Sequence, residues 1–235
     1  NGIRSYCHIG TGNYNPKTAR MYEDLGILSA DSELTDDLTK LFNQLSGFAP
    51  QSTYSRLLVA PKTLRPGIME RIDREIENAK AGKPSGIQFK LNSILDEAFV
   101  EKLYEASKAG VKVDLLIRGI CAVQPGIKGV SENIHVRSVL GRFLEHSRIL
   151  HFVNGGKNEY WIGSADLMAR NLDRRVEALV RVDKKEHQIR LQKLLDLGLS
   201  EDVSSWHLKG TQWSKSSKNL KDLHSELANK YSKDR

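Results

Sequence analysis

The hydrophobic positions between residues 54 and 197 form two alternating kinds of segment. Short runs that are apolar almost throughout, such as 87–91 and 111–117, predict buried strands. Between these runs the apolar residues recur every three or four positions, which is the spacing of an amphipathic helix. Strands that alternate with helices over short connections predict right-handed crossovers and an α/β fold with a parallel or mixed sheet covered by helices.

The alternation predicts strands at 56–60, 87–91, 111–117, 134–139 and 176–182, and helices at 66–80, about 95–106 and 184–197. Pro66 opens the first of these helices and Gly82 follows its end, the usual places of these residues. Ser93 and Asp96 form an approximate capping box for the next helix. In the last helix we expect Ile189 and three leucines to face inward.

The first fifty residues predict a smaller, separate unit. Residues 3–9 read as a strand, and a helix with an apolar face that includes Phe42 and Leu45 begins at about Thr35, which can cap it. A stretch rich in Gly, Pro and Ser at 47–53 is typical of a linker. We therefore place domains at 1–50 and 51–200, followed by a polar extension at 201–235.

The extension carries two tryptophans among basic residues, a composition that can bind single-stranded nucleic acid. Trp206 and Trp213 do not form a compact aromatic series, so we expect no specific nucleic-acid partner. Residues 218–231 have the leucine spacing of a helix, although a loosely ordered tail is an alternative.

The segment richest in chemistry is 142–177, where two β-rich runs flank the turn pair Asn154-Gly155 and predict a hairpin. His146 and Arg148 are two positions apart, so strand alternation places both on one face, with Ser164 returning across the hairpin. Histidine suits proton transfer near neutral pH, and arginine pairs with two phosphate oxygens at once. These residues predict a phosphate site; a hydrogen-bonded structural histidine is the alternative.

Arg118 directly follows the predicted strand at 111–117. In open α/β sheets, ligands gather at the carboxyl ends of strands. Arg118 is therefore a candidate ligand of the same phosphate site, with a solvated surface charge as the alternative.

A half-motif occurs twice in the chain. Asn154-Gly155, a strand and 162–166 (IGSAD) match Asn1-Gly2, a strand and 9–13 (IGTGN). The histidine that matches His146 would then lie before residue 1. Because Asn-Gly is a hairpin turn pair, we expect the chain to begin inside a domain.

Composition narrows the possible partners. The chain has 36 basic and 29 acidic residues, a net charge of +7 and a pI near 9.3, which suits a polyanion such as a nucleotide, polyphosphate or nucleic acid. Cys7 and Cys121 are too few for a disulfide framework and lack the spacing of metal ligands, which favours a reducing cytoplasm. No run approaches the ~20 apolar residues that span a membrane.

His146 and Arg148, followed by Gly163-Ser164-x-Asp166, form a pattern that resembles the H-x-K and G-S-x-N signature of phospholipase D-type enzymes. Arginine and aspartate replace the lysine and the asparagine. Val153 and Asn154 stand where that family has an aspartate. The missing aspartate argues against ordinary phosphodiester hydrolysis.

Longer segments carry a more specific resemblance. The strings HIGTGNYNPKTARMYEDLGILSA, SGIQFKLNS, LLIRGICAVQPGI, GRFLEHSRI and IGSADLMARNLDRRVEALV are together similar to the C-terminal half of the long-chain polyphosphate kinases, over about residues 1–200. The resemblance implies two phospholipase D-like domains, each a mixed sheet flanked by helices, with only part of the first copy present at the N-terminus. It also implies reversible transfer of the terminal phosphate of ATP to polyphosphate through a phosphohistidine, with Mg²⁺.

Position by position, the resemblance implies that Tyr22, Arg118 and His146 contact ATP, with His146 also catalytic, and that Arg175 faces the phosphates. Arg148 as a phosphate ligand is our inference from strand alternation. The phosphorylated histidine belongs to the missing arm of the first copy, so we expect this chain alone to be inactive. We assign no metal ligand within it and expect any to lie upstream.

Two other functions fit parts of the sequence: a phospholipase D-type phosphodiesterase and a non-catalytic module that binds polyanions. For the full-length protein we expect a cytoplasmic homo-oligomer, with membrane association left open.

Overall fold

A computed structural model describes residues 4–48, 53–216 and 220–232, and a nine-stranded sheet forms its centre. The strands are β1 Cys7–Gly10, β2 Tyr22–Glu23, β3 Gly26–Ser29, β4 Leu57–Val59, β5 Ile87–Leu91, β6 Val113–Ile117, β7 Ile134–Ser138, β8 Leu144–Glu145, β9 Ile149–Phe152, β10 Glu159–Gly163, β11 Ala178–Val182, β12 Trp206–Lys209 and β13 Gln212–Lys215. The helices are α1 Ser32–Leu45, α2 Leu64–Lys80, α3 Glu97–Lys108, α4 Lys185–Gly198 and α5 Leu223–Ser232.

The large sheet is mixed. Its strand order is β13-β12-β7-β6-β5-β9-β10-β11-β4, in which β5, β6 and β7 run parallel and the other neighbours antiparallel. The predicted α/β fold, a mixed sheet flanked by helices, is confirmed.

Helices cover both faces of the sheet, which explains why its central strands are apolar throughout rather than alternating. The neighbouring residues Leu115 and Leu116 of β6 point into opposite cores. Leu115 belongs to the same core cluster as Ile68 and Ile72 of α2, while Leu116 belongs to the cluster that contains Leu195 of α4. The sheet that carries the predicted phosphate site is therefore packed against helices on both faces.

The predicted repeat is visible in the hydrogen bonds. β1 pairs with β3 as β10 pairs with β11, and Gly10 faces Gly26 across the same sixteen-residue separation as Gly163 and Leu179. The amide of Thr11 donates to the carbonyl of Leu25 (2.8 Å), as the amide of Ser164 does to that of Ala178 (3.1 Å). The N-terminal residues are thus part of another copy of the unit, which is called the first copy because it comes first in the chain.

The two copies meet at a short parallel pair, β2 with β8. Tyr22 lies opposite Leu144 and Glu23 opposite Glu145, and the amide of His146 donates to the carbonyl of Glu23 at 2.8 Å. This pair joins residues more than a hundred positions apart and brings the candidate residues of both copies together.

Two predicted caps are wrong. α1 begins at Ser32 because Asp31, rather than Thr35, accepts the amide of Leu34 (3.0 Å). In α3, Asp96 caps the helix through the amide of Phe99, so the approximate capping box with Ser93 does not form.

Two predicted apolar faces are only partly covered. Ile189 of α4 is exposed rather than inward. Of the three leucines predicted to face inward, Leu191 and Leu195 are buried. Phe42 and Leu45 of α1 are exposed as well.

The last residues extend the sheet in a way that the sequence pattern does not predict. β12 pairs with β7 and β13 forms the edge, while the predicted helix begins at Leu223. Residues 217–219 at its expected start lie outside the described residues, as do residues 49–52 of the predicted linker and residue 3 of the first strand.

Every helix of the described residues is too short or too polar to span a lipid bilayer.

Candidate functional site

The rings of Tyr22 and His146 lie stacked where the two copies meet. Their planes are 5° apart and their centroids 4.4 Å apart. β2 supplies the tyrosine, and the histidine follows β8, so the parallel pairing of these strands sets the stack. The side chain of His146 is half-buried, not sealed in the apolar core.

The ring of His146 is held by the first copy. Its Nδ1 lies 2.8 Å from the carbonyl oxygen of Thr11. Nη1 of Arg148 also lies 2.8 Å from Nδ1 and 3.3 Å from Nε2, so the ring is held between a carbonyl, which only accepts, and a guanidinium, which only donates. Burial and the charge of Arg148 lower the pKa of His146, against the opposing effect of the bond to Thr11. The ring is therefore neutral near pH 7.

The guanidinium group of Arg148 contacts both the ring and the backbone of His146. Its guanidinium forms a buried pair with Asp166, with Nη2 at 2.9 Å and Nε at 3.3 Å from the carboxylate oxygens. Its Nη1 donates to the carbonyl of His146 at 2.9 Å. Most of its donors are therefore used within the protein, so Arg148 contributes charge beside the ring more than free hydrogen bonds.

Asp166 also ties this pair to the carboxyl end of β5. One carboxylate oxygen accepts the backbone amides of Asn92 (2.8 Å) and Ser93 (3.1 Å) in addition to the arginine. The H-x-R and G-S-x-D elements of the sequence thus meet through Arg148 and Asp166, as their spacing suggests.

Arg118 is the candidate residue with a free donor. It follows β6 and is half-buried, and its Nη2 donates to Oδ1 of Asn92. Its Nε is buried and has no hydrogen-bond partner within the described part of the chain. Burial and the charge of Arg148 lower the pKa of Arg118. A buried guanidinium donor without a partner is costly unless an anionic ligand accepts from it.

Arg175 and Ser164 contact a different residue, Glu177. The side chain of Arg175 is exposed, and its ion pair is with Glu177 at 3.9 Å. The hydroxyl of Ser164 donates to the same Glu177. Among the contacts of the described residues, none joins either side chain to His146.

The described residues do not fit a Mg²⁺ site. No group of three or more His, Cys, Asp or Glu side chains within residues 4–48, 53–216 and 220–232 is arranged to hold a metal ion. Asp166, the carboxylate of the site, is occupied by Arg148 and two amides.

Sequence reasoning missed the role of Thr11. Its carbonyl oxygen lies 2.8 Å from Nδ1 of His146, and its hydroxyl accepts the amide of Leu25 (3.0 Å), as Ser164 accepts that of Ala178. The repeat was the available signal, because it aligns Thr11 with Ser164 of the G-S-x-D motif.

Comparison with known proteins identifies the family. The family model described as "Polyphosphate kinase C-terminal domain 2" matches residues 57–227. The chain belongs to the polyphosphate kinase family. A second model of the same family, "Polyphosphate kinase C-terminal domain 1", matches residues 1–51.

Curated polyphosphate kinases share about half of the residues of this chain. That of Streptomyces coelicolor is 58% identical over 206 residues, which is 88% of this chain and 28% of the relative. That of Prochlorococcus marinus is 54% identical over 207 residues, or 88% of this chain and 29% of the relative. The chain therefore spans less than a third of the length of these relatives.

The fold also matches a solved polyphosphate kinase. The crystal structure of the enzyme from Porphyromonas gingivalis superimposes with a TM-score of 0.89 and 34% identity, over 98% of this chain and 37% of that chain. The likeness includes both copies of the repeated unit, since nearly the whole chain is covered.

Proposed function

We propose that this chain is the C-terminal part of a polyphosphate kinase that reversibly transfers the terminal phosphate of ATP to inorganic polyphosphate through a phosphohistidine. The observation that carries this proposal is the buried Nε of Arg118, which has no hydrogen-bond partner among the described residues and lies in the neighbourhood of a neutral imidazole. Membership of the family supports the substrate class. The histidine that is phosphorylated belongs to the matching arm of the first copy and lies outside this chain.

In this proposal Arg118 and His146 contact the phosphates of ATP, and Tyr22 holds the imidazole in place. Phosphoryl transfer needs the reacting groups in line and positive charge around the equatorial oxygens. The free donor of Arg118 and the charge of Arg148 provide that environment in a half-buried site, where electrostatic interactions are stronger than in water.

His146 changes its protonation when phosphate binds. The guanidinium groups of Arg118 and Arg148 favour the neutral ring in the free protein. A phosphate brings negative charge, which favours the protonated ring. The proton on Nε2 then donates to a phosphoryl oxygen and stabilises the charge of the transition state.

Arg148 and Arg175 have different proposed places. Arg148 acts through the ring that it braces, because most of its donors are engaged by Asp166 and by backbone carbonyls. Arg175 is exposed and is proposed to meet the outer phosphates or the polymer. The Mg²⁺ expected for a kinase has no ligand set among the described residues.

The test uses the complete enzyme that contains this chain. His146→Ala is expected to lower ATP-dependent polyphosphate synthesis by about 10²–10⁴-fold, the usual contribution of a general acid or base, while the free energy of unfolding falls only by the value of the lost stack on Tyr22, about 0.5–1.5 kcal/mol. The matched control is His135→Ala, because His135 is exposed and pairs with Asp114 elsewhere on the sheet. Normal synthesis by His146→Ala would remove this residue from the mechanism.

The isolated chain separates this proposal from a simple polyanion-binding module. We expect it to bind tripolyphosphate weakly and to make no polymer. Binding that falls steeply with salt yet is unchanged by the combined Arg118→Met and His146→Ala substitutions would favour the module, which would use only the net charge of +7. Hydrolysis of a generic phosphodiester would instead favour a phospholipase D-type enzyme.

A further inference from the structure

A cluster of buried charges lies directly behind the site. The ammonium group of Lys90 in β5 lies 3.0 Å from Glu23 and also contacts Glu145 and the hydroxyl of Ser147. The hydroxyl of Ser147 donates to Glu23 at 2.8 Å. On the far side, Nε2 of His224 lies 2.5 Å from Oε1 of Glu145. Buried charges of this kind need every partner in place.

This cluster holds the two backbone segments that carry the stacked rings. Glu23 follows Tyr22, and Glu145 and Ser147 flank His146. Because side chains alternate along an extended segment, Glu145 and Ser147 point away from the phosphate side while His146 points toward it. A shift of Glu145 would therefore move the neighbouring imidazole.

His224 is the part of the cluster that comes from the C-terminal helix α5. Its side chain is 4% exposed, and Glu145 is 6% exposed. Its Nδ1 accepts the amide of Phe143 at 3.1 Å, so Nε2 carries the proton that is donated to Glu145. A methyl group on Gly141 would lie 2.4 Å from Nδ1 of His224, so the loop before β8 packs tightly on this ring.

We infer that His224 is a positioning residue for the phosphate site: its hydrogen bond to Glu145 anchors β8 to α5 and so sets the stack of Tyr22 on His146. The C-terminal helix thereby becomes a part of the active-site support rather than an appendage. This inference rests on the proposed function for its kinetic consequence, but its geometric consequence stands on the structure alone.

Two substitutions separate the hydrogen bonds of His224. The amide nitrogen of glutamine reaches about as far from Cα as Nε2 does, so His224→Gln can still donate to Glu145. The asparagine amide reaches only the place of Nδ1, so His224→Asn can accept from Phe143 but cannot reach Glu145. Both variants lose the ring, which makes each the control of the other.

The kinetic test uses the complete enzyme. His224→Asn is expected to lower kcat for polyphosphate synthesis by about 10- to 100-fold, the effect of a misplaced reacting group, with a smaller change in KM for ATP because Arg118 is untouched. His224→Gln is expected to keep most of kcat. A kcat for His224→Asn equal to that of the unaltered enzyme, or an equal loss in both variants, would overturn the inference.

A spectroscopic test needs no catalysis. In the 235-residue chain labelled with ¹³C at histidine Cε1, the stacked ring of Tyr22 shifts the resonance of His146, which His146→Gln assigns. We expect His224→Gln to retain this shift and His224→Asn to lose it, as Tyr22→Leu does. An unchanged resonance in His224→Asn would overturn the inference.

The two readouts keep the inference distinct from the proposed function. If the unaltered enzyme makes no polymer from ATP, the proposed function is wrong, and the resonance of His146 still decides the role of His224. If His224→Asn does not fold, His224→Phe replaces it, since phenylalanine keeps the ring packing against Phe143 but cannot donate to Glu145.

Discussion

The two faces of residues 144–148 both carry charged groups, but they use them in different ways. On one face, Glu145 and Ser147 belong to a buried cluster in which the ammonium of Lys90 contacts two carboxylates. On the other face, His146 and Arg148 lie in the neighbourhood of a guanidinium that keeps a buried donor without a partner among the described residues. We expect the first arrangement to stabilise the fold, and we propose that the second binds a ligand. Substitutions on the two faces should therefore separate these properties.

The largest effect on stability is expected from Lys90→Met. This change leaves Glu23 and Glu145 buried without their shared cation, which should lower the free energy of unfolding by about 3–5 kcal/mol. Urea denaturation measures it. The control is Lys80→Met, whose exposed pair with Glu77 is worth about 1 kcal/mol or less. Equal losses in the two variants would mean that the cluster does not stabilise the fold.

Arg118→Met is expected to affect ligand binding much more than stability. The change removes the Nε donor that has no partner among the described residues together with the hydrogen bond from Nη2 to Asn92, so the free energy of unfolding should change by about 1 kcal/mol or less. Binding of tripolyphosphate, measured by calorimetry, should weaken about 10- to 100-fold, the value of one or two charged hydrogen bonds. Arg190→Met removes the same charge from an exposed position on α4 and serves as the control. If both variants bind tripolyphosphate with similarly weakened affinity, Arg118 contributes only its charge to binding.

A smaller effect on stability is expected from the stack of Tyr22 on His146. Tyr22→Leu should lower the free energy of unfolding by about 0.5–1.5 kcal/mol, while Tyr22→Phe, which keeps the aromatic ring, should not. Denaturation curves of the two variants test this difference. If Tyr22→Phe lowers the free energy of unfolding as much as Tyr22→Leu does, the hydroxyl of Tyr22 rather than its stacked ring stabilises the fold.

The ligand-facing side was largely predictable from the sequence. Strand alternation relates His146 to Arg148, and the end of an apolar run marks Arg118, because both rules depend only on positions near each other in the chain. The repeat pointed to the first copy as well, since Thr11 aligns with Ser164.

The buried cluster was not predictable in the same way. Lys90 stands in an otherwise apolar strand, but its partners come from Glu23, Glu145 and Ser147, which only the fold brings together. His224 likewise reaches Glu145 from the last helix. Strand β13 gave no periodic signal because all four of its residues are exposed at the edge of the sheet.

The most direct test of the phosphate site is the pKa of His146, measured by NMR in the labelled chain with and without saturating tripolyphosphate. In the free chain, burial and Arg148 hold this pKa below 6.5, so the ring becomes protonated only as the pH falls further. A phosphate bound beside the ring should raise the pKa, and the ring should take up a proton near neutral pH. A pKa of His146 that does not move when tripolyphosphate is bound would contradict the account.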